Sequence, residues 1–486
     1  MLRWIETHAD HTPDAPALRF GGETITYAGL AARIDRAAAA LVAQGVSRGD
    51  RVAFLGHNHP AQIVLLFACA RLGAIQVPLN WRLATPEQWF ILEDARTRLL
   101  AATPAFLEAA RLAAPVGCQV IAAEFPPAEA PVAWHADAMP EGPLLLVYTS
   151  GTTGRPKGAV LDQRALLFNA LNALHLFRLT AADRVLTVLP LFHVGGLNIQ
   201  TTPALYAGAE VLLHPRFDPD AWFDAVEHDH PTLSLLVPAV MQALVAHPRW
   251  ASADLSGLRA IGAGSSDVPL PLIEAFCRRG IPVQQVYGAT ETSPIAIGQL
   301  PEEAMAVRGS IGRPALHVEC RVVDAAGRPL PPGGTGEIEV RGPSVLRGYW
   351  GRPAEVAATR DGGWFATGDV GRVDEAGRWW FTDRIKHMII SGGENIYPAE
   401  VERVLRGAPG VAEGAVCGRP DPRWGEVPVA VVVPGPGFVR EAVLRHFEGQ
   451  LARFKHPRDV VCVPALPRTA LGKVRMEALK ALVAEG

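Results

Sequence analysis

The chain has 486 residues, 49% hydrophobic and 20% charged, with a formal net charge of −3. That length predicts about three domain-sized units, each long enough to bury its own core. Lys and Arg are scattered and nearly balanced by acid, which leaves no electrostatic footprint for nucleic acid or anionic lipid, so neither is an expected partner.

Residues 24–27 alternate like a short strand, and the Ala-rich residues 30–44 space their apolar positions for a helix that stops at Gly45. Gly49 and Asp50 then turn into a strand over residues 51–55. Helical and strand-like segments keep alternating through Ile261, a pattern that predicts α/β layers with mostly parallel sheets. The Pro/Ala-rich residues 102–115 and 126–140 read as irregular surface connections. From about Gly312 the texture changes to short β-type runs (residues 318–323, 336–341 and 378–382) separated by Gly/Pro turns, a mainly antiparallel subdomain. Beyond Arg384 a compact α/β pattern follows, with Pro398 at a helix start, residues 399–405 helical and residues 410–433 strand-rich. We place a boundary at residues 383–386, giving domains 1–383 and 384–486; the second is large enough to fold by itself.

Residues 185–209 lack charge and have membrane-spanning length, yet Pro190, Gly195, Gly196, Asn198, Gln200 and Pro203 interrupt them, so no transmembrane segment is expected. Arg3, Glu6 and Asp10 leave no apolar leader, which predicts a cytoplasmic protein. The cysteines Cys69, Cys118, Cys277, Cys320, Cys417 and Cys462 are widely spaced, with no Cys-x-x-Cys pair or histidine at metal spacing. Reduced core thiols are the expectation.

The most informative run is Tyr148-Thr-Ser-Gly-Thr-Thr-Gly-Arg-Pro-Lys157-Gly158, just after the apolar residues 144–147. Glycines and hydroxyls in such a loop bring backbone N–H groups and hydroxyl donors against a polyphosphate. It is not the P-loop of kinases, because counting from Gly151 puts Pro156 where the second glycine belongs and Gly158 where the hydroxyl belongs. Nor does any Ser-His-Asp spacing support a hydrolase triad.

The run resembles the phosphate loop of the acyl-adenylate-forming enzymes, a superfamily of acyl-CoA synthetases, luciferases and peptide-synthetase adenylation domains. Four further motifs extend the resemblance over essentially the whole chain: Pro190-Leu-Phe-His193-Val-Gly-Gly196, Tyr287-Gly-Ala-Thr-Glu291-Thr, Gly363 to Asp369 with Arg384, and Pro467-Arg-Thr-Ala-Leu-Gly-Lys473. The fold this implies is α/β: a large N-terminal domain of layered sheets with a distorted antiparallel β subdomain, then a small mobile C-terminal α+β domain. The activity implied is an ATP- and Mg²⁺-dependent acid–CoA ligase working through an acyl-adenylate, with coenzyme A as co-substrate and a small carboxylic acid as substrate. A monomer or homodimer is expected.

Joining a carboxylate to the α-phosphate of ATP brings two anions together, so the site needs a phosphate cradle, a divalent cation, ribose and adenine contacts and a cation at the transition state. By resemblance Thr149, Ser150, Gly151, Thr152, Thr153, Gly154 and Lys157 form the cradle, Glu291 holds Mg²⁺, and Thr290 bonds the α-phosphate. Tyr287 and Gly288 lie by the adenine. Asp369 can accept both ribose hydroxyl protons and Arg384 donate a planar fork. Lys473, on a glycine-supported loop, can neutralise charge that is greatest in the transition state. The resemblance makes Lys386 the hinge, with Gly392 and Gly393 in a stretch that lines the pantetheine tunnel. It makes His193 a gate beside an acyl pocket walled by His193, Val194, Gly195, Pro238, Ala263, Gly264, Ala289, Pro294 and Ile295.

Relatives that activate amino acids carry an aspartate in the turn occupied here by Phe192-His193-Val194. Acetate-specific ones carry a tryptophan at Gly288, which suggests that the glycine leaves a slot open. Malonate-specific ones carry an arginine at Val286, and hydroxybenzoate-specific ones an asparagine at Val194. The resemblance therefore implies a medium or long fatty acid or an aryl acid of the cinnamate or ferulate type. Carrier-protein ligation, a luciferase-like oxygenase and a non-catalytic binding module remain alternatives.

Overall fold

The computed structural model describes residues 3–125, 142–149, 156–264, 268–352, 359–360, 362–391, 394–422, 424–451, 453–469 and 472–484. The chain divides into two compact units, one of residues 1–320 and 340–365, the other of residues 321–339 and 366–486. The 383/384 boundary falls inside the second unit.

In the first unit, local capping sets the element ends. Thr26 closes the strand Glu23–Thr26 and accepts a hydrogen bond from the Gly29 N–H at 3.1 Å, so the helix starts at Tyr27, slightly before the apolar periodicity predicts, and runs to Ala43. The strand Arg51–Leu55 is as expected. Residues 102–115 differ from expectation: Pro104–Phe106 forms a 3₁₀ turn and Leu107–Ala113 a helix. Pro104 suits the first position of a turn, and burial of Ala110 and Ala113 against the core stabilises a segment whose composition reads as a loop.

Among the described residues one sheet has nine strands, in the order Arg313–Pro314, Ile297–Gly298, Val283–Tyr287, Ala260–Gly264, Leu233–Leu236, Arg184–Thr187, Glu210–Leu213, Pro16–Phe20 and Glu23–Thr26. Its six central strands are parallel and the outer ones antiparallel. From Arg184–Thr187 the chain moves to one flank, and from Glu210–Leu213 it returns to the other. The crevice between the carboxyl ends of Arg184–Thr187 and Leu233–Leu236 is thus a topological switch point, where α/β sheets bind ligands. A second sheet has seven described strands, and in it Lys157–Asp162 pairs with both Pro143–Thr149 and Gly348–Tyr349.

The second unit holds the antiparallel pair Trp364–Val373 (from Ala366 onward) and Trp379–Arg384, with Asp369 opposite Arg384. Its C-terminal sheet sets Val411–Asp421 beside Gly425–Pro434, and Asp459–Cys462 runs parallel to the latter. Alternation along these strands buries both faces: Val416, Ala430 and Val432 pack with Val401 and Leu405, whereas Ala415, Val429 and Val431 pack with Leu479 and Val483. The helix Pro398–Leu405 starts at proline as predicted, and the Asp383 carboxylate accepts from the Ala399 N–H at 2.8 Å. All six cysteines are free, but Cys462 is exposed and Cys118 and Cys320 only partly covered, because a strand end or sheet edge does not enclose them; only half fit the core expectation. Among the described residues no helix is long and apolar enough to cross a membrane.

Candidate active site

The strands Pro143–Thr149 and Lys157–Asp162 form a hairpin in which Thr149 pairs with Lys157. Ser150, Gly151, Thr152, Thr153 and Gly154, the rest of the predicted cradle, lie outside the described residues, as do Gly392 and Gly393. At the start of the loop the Tyr148 hydroxyl donates to Asp94 at 2.6 Å. Burial and then this bond push its pKa well above the ordinary phenol range, so Tyr148 stays a neutral donor.

Glu291 stands in the 3₁₀ turn Thr290–Thr292 that follows the strand Val283–Tyr287. Tyr349 donates its hydroxyl to Glu291 Oε1 at 2.9 Å, the Leu346 N–H donates to the Glu291 carbonyl at 2.8 Å, and Lys157 Nζ lies 5.8 Å from the Tyr349 ring. The structure therefore brings both Lys157 and Glu291 to Tyr349, which sequence reasoning did not single out. Its only signal is the aromatic pair in Gly348-Tyr-Trp, because the pairing of Tyr349 with Ala159 joins distant parts of the chain. Among the described residues no cluster of three or more His, Cys, Asp or Glu side chains that could hold a metal is found. One anchored carboxylate beside a lysine-bearing phosphate hairpin fits Mg²⁺, which is held by one or two carboxylates together with substrate phosphate and water.

Gly288 is not an open slot. A Cβ there would lie 1.7 Å from the Pro294 carbonyl oxygen and 2.8 Å from Thr292 Oγ1, so the turn after Tyr287 closes directly on this residue. Thr292 locks the same turn, accepting from the Ala289 N–H at 3.0 Å and donating to the Pro294 carbonyl at 3.1 Å. What glycine supplies here is close backbone approach, not room for a ligand.

The proposed acyl-pocket residues come from four connections at neighbouring strand ends. His193, Val194 and Gly195 follow Arg184–Thr187, Pro238 follows Leu233–Leu236, Ala263 and Gly264 end Ala260–Gly264, and Ala289, Pro294 and Ile295 follow Val283–Tyr287. None carries a permanent charge, and Val194, Ala263 and Ile295 are buried. The turn into His193 is held by Asn58, which accepts from the Leu191 N–H at 2.8 Å and donates to the Leu189 carbonyl at 3.0 Å. The His193 carbonyl accepts from the Leu197 N–H and begins the short helix Val194–Gly196, which widens into a π-helix over Leu197–Thr201. Thr201 closes that wide turn, donating to the Gly196 carbonyl at 2.7 Å.

In the second unit Asp369 is 3% exposed and pairs with Arg384 Nε at 3.0 Å. Thr367 donates to the Ile338 carbonyl and accepts from the Asp369 N–H, which holds the Thr-Gly-Asp corner. Lys473 is exposed, on a hairpin in which the Thr469 N–H donates to the Lys473 carbonyl at 2.6 Å and the Lys473 N–H to Thr469 Oγ1 at 3.2 Å. Arg468 braces the loop through the Gly472 carbonyl and Glu413, each at 2.7 Å. Lys386 lies in the 3₁₀ turn Ile385–His387, directly after Arg384.

An α/β sheet with a topological switch point and a hairpin suited to phosphate fits a nucleotide-using enzyme of the α/β class. The sequence description "AMP-binding enzyme" matches residues 5–350 and "AMP-binding enzyme C-terminal domain" residues 400–473, and the chain belongs to this family. It is 51% identical to the indoleacetate–CoA ligase of Aromatoleum aromaticum, across 100% of this chain and 98% of that protein. It is 44% identical to a feruloyl-CoA synthase of an Amycolatopsis species, with 97% and 96% covered. The o-succinylbenzoate CoA synthetase of Bacillus subtilis, solved with its acyl-adenylate intermediate, superposes with a TM-score of 0.89 at 33% identity and 98% coverage of both chains. The chain is accordingly an ATP-dependent acid–CoA ligase that acts through an acyl-adenylate, with ATP, Mg²⁺ and CoA as its cofactor set.

Proposed function

We propose that the acid this ligase activates is an aryl monocarboxylate, with the ring separated from the carboxyl by a short linker. The observation that carries this reading is the set of uncharged wall residues gathered at the switch point of the nine-stranded sheet. Val286 supplies no cation for a second carboxylate, and the two curated relatives named above are an indoleacetate–CoA ligase and a feruloyl-CoA synthase.

In the first half-reaction a substrate carboxylate oxygen attacks the α-phosphorus of ATP, the bond to the β-phosphate oxygen breaks, and pyrophosphate leaves. Thr149, Lys157 and the cradle residues hold the β- and γ-phosphates, Thr290 donates a hydrogen bond to the α-phosphate, and Lys473 neutralises charge there. Glu291 would hold Mg²⁺, which supplies phosphate charge neutralisation when bound. Asp369 and Arg384 clamp the ribose. In the second half-reaction the CoA sulfur attacks the acyl carbon and AMP leaves with the bonding pair. We assign this step to residues 384–486 turning about Lys386 relative to residues 1–383, with Gly392 and Gly393 along the pantetheine path. The cytoplasm, where ATP and CoA are supplied, is the proposed compartment, and a monomer or homodimer the proposed state.

The test is a pyrophosphate-release screen over indole-3-acetate, ferulate, 4-coumarate, phenylacetate and the C8 to C16 fatty acids, followed by detection of the CoA thioester. An aryl acid should give the highest kcat/KM. A fatty acid in that place would overturn the aryl reading and leave the ligase chemistry standing.

A further inference from the structure

Gln200 lies in the π-helical turn that follows His193 and is 1% exposed. Neither its amide nitrogen nor its amide oxygen has a hydrogen-bond partner among the described residues. Its nitrogen lies 3.0 Å from where a Cβ on Gly262 would stand, so the amide is packed over the strand that ends at Ala263 and Gly264.

The surroundings tie this amide to the acyl pocket. Asn169 donates to the Asn198 carbonyl at 2.6 Å and accepts from the Ile295 N–H at 3.0 Å, which locks the π-helical turn to the pocket residue Ile295. Next to Gln200, Thr201 reaches Thr187 at 2.9 Å on the strand that leads to His193. Gln200 therefore lies in the turn that follows His193, against the strand that ends at Gly264, and that turn is tied through Asn169 to Ile295. A buried amide with neither group bonded is costly unless something completes it; Asn198 Nδ2 in the same turn is also without a partner, but among the buried side chains of the described residues Gln200 alone has both amide groups unpaired.

We propose that Gln200 is a specificity-determining residue that hydrogen-bonds a polar atom at the far end of the acid, such as a ring N–H or hydroxyl. The proposal rests on the acyl pocket described above. The amide can donate and accept, so it suits a heteroaryl N–H or a phenolic hydroxyl equally, and it would penalise a hydrocarbon tail that leaves it unpaired.

The experiment compares wild type with Gln200→Met, which keeps an unbranched chain of similar size and removes both polar groups. Two substrate pairs are used: indole-3-acetate against 1-naphthylacetate, and 10-hydroxydecanoate against decanoate. In the pair turned over faster, wild type should favour the polar member, and the variant should lower that kcat/KM ratio by about 10- to 100-fold, as expected for loss of a buried hydrogen bond. The melting temperature should hold or rise, since an unpaired polar group leaves the free enzyme. A ratio identical in wild type and variant, or a wild type with no preference for the polar member, overturns the proposal. Should decanoate or its hydroxy analogue be the better class, the aryl reading fails while the alkyl pair still decides the role of Gln200.

Discussion

Lys473 sits on a hairpin braced by Thr469 and Arg468, with Gly472 at φ +80°, a backbone angle that glycine adopts without strain. That bracing holds the lysine backbone while its side chain stays exposed, the arrangement a residue needs if it acts in only one of two steps. Lys473→Ala should lower adenylate formation by about 10²- to 10³-fold, the usual loss for one transition-state charge partner. CoA attack on supplied acyl-adenylate should survive, and an equal loss in both half-reactions would make the lysine a scaffold residue. Gly288 carries a different prediction, because a Cβ there would overlap the Pro294 carbonyl oxygen. Gly288→Ala should reduce ATP–pyrophosphate exchange by a similar factor with every acid, short or long, since the whole Tyr287 to Ile295 turn must open. A loss confined to bulky acids would return the residue to the pocket wall.

At the scale of elements, Asp183 shows how the amino ends of the parallel strands are tied together, at the opposite edge of the sheet from the switch point. It is 6% exposed just before the strand Arg184–Thr187, where it accepts from Arg259 Nε at 2.8 Å, Thr232 Oγ1 at 2.7 Å and the Thr180 N–H at 2.9 Å. Burial alone would raise this carboxyl, but the bonds from Arg259, Thr232 and Thr180 outweigh it and hold the pKa below the usual aspartate value. A depressed folded pKa contributes stability above the unfolded value of about 4, and that stability is lost as pH falls through the folded pKa. Asp183→Asn, which turns a donor toward these donors, should lower stability by roughly 1–3 kcal/mol at pH 7. The difference in melting temperature should shrink as pH falls below about 4, and a gap independent of pH would show that packing, not charge, is at stake. Element types were legible where local chemistry decides them: the helix that stops before Gly45 and the proline at position 398. The helix within residues 104–113 was not, because its stability comes from burial of small alanines that composition cannot locate.

For the whole molecule, the proposed division at residue 383 makes the turn Ile385–His387 the place where the chain changes pose. Proline at residue 386 fixes φ near −65°, so Lys386→Pro should leave adenylation running while thioester formation collapses. Normal overall turnover in the variant would move the hinge elsewhere. The sequence by itself determined the reaction class, because its short motifs, as from Thr149 to Lys157 and from Pro467 to Lys473, resemble those of the acyl-adenylate-forming enzymes and supply the residue types that phosphate binding and charge neutralisation demand. Only the tertiary structure decided that Tyr349 orients Glu291 from 58 residues away, that Asn58 holds the turn into His193, and that Gln200 is buried against the strand Ala260–Gly264 with its amide unpaired. Those contacts arise from sheet order and helix packing, which bring distant segments together according to shape and burial. Local composition has no means of recording them.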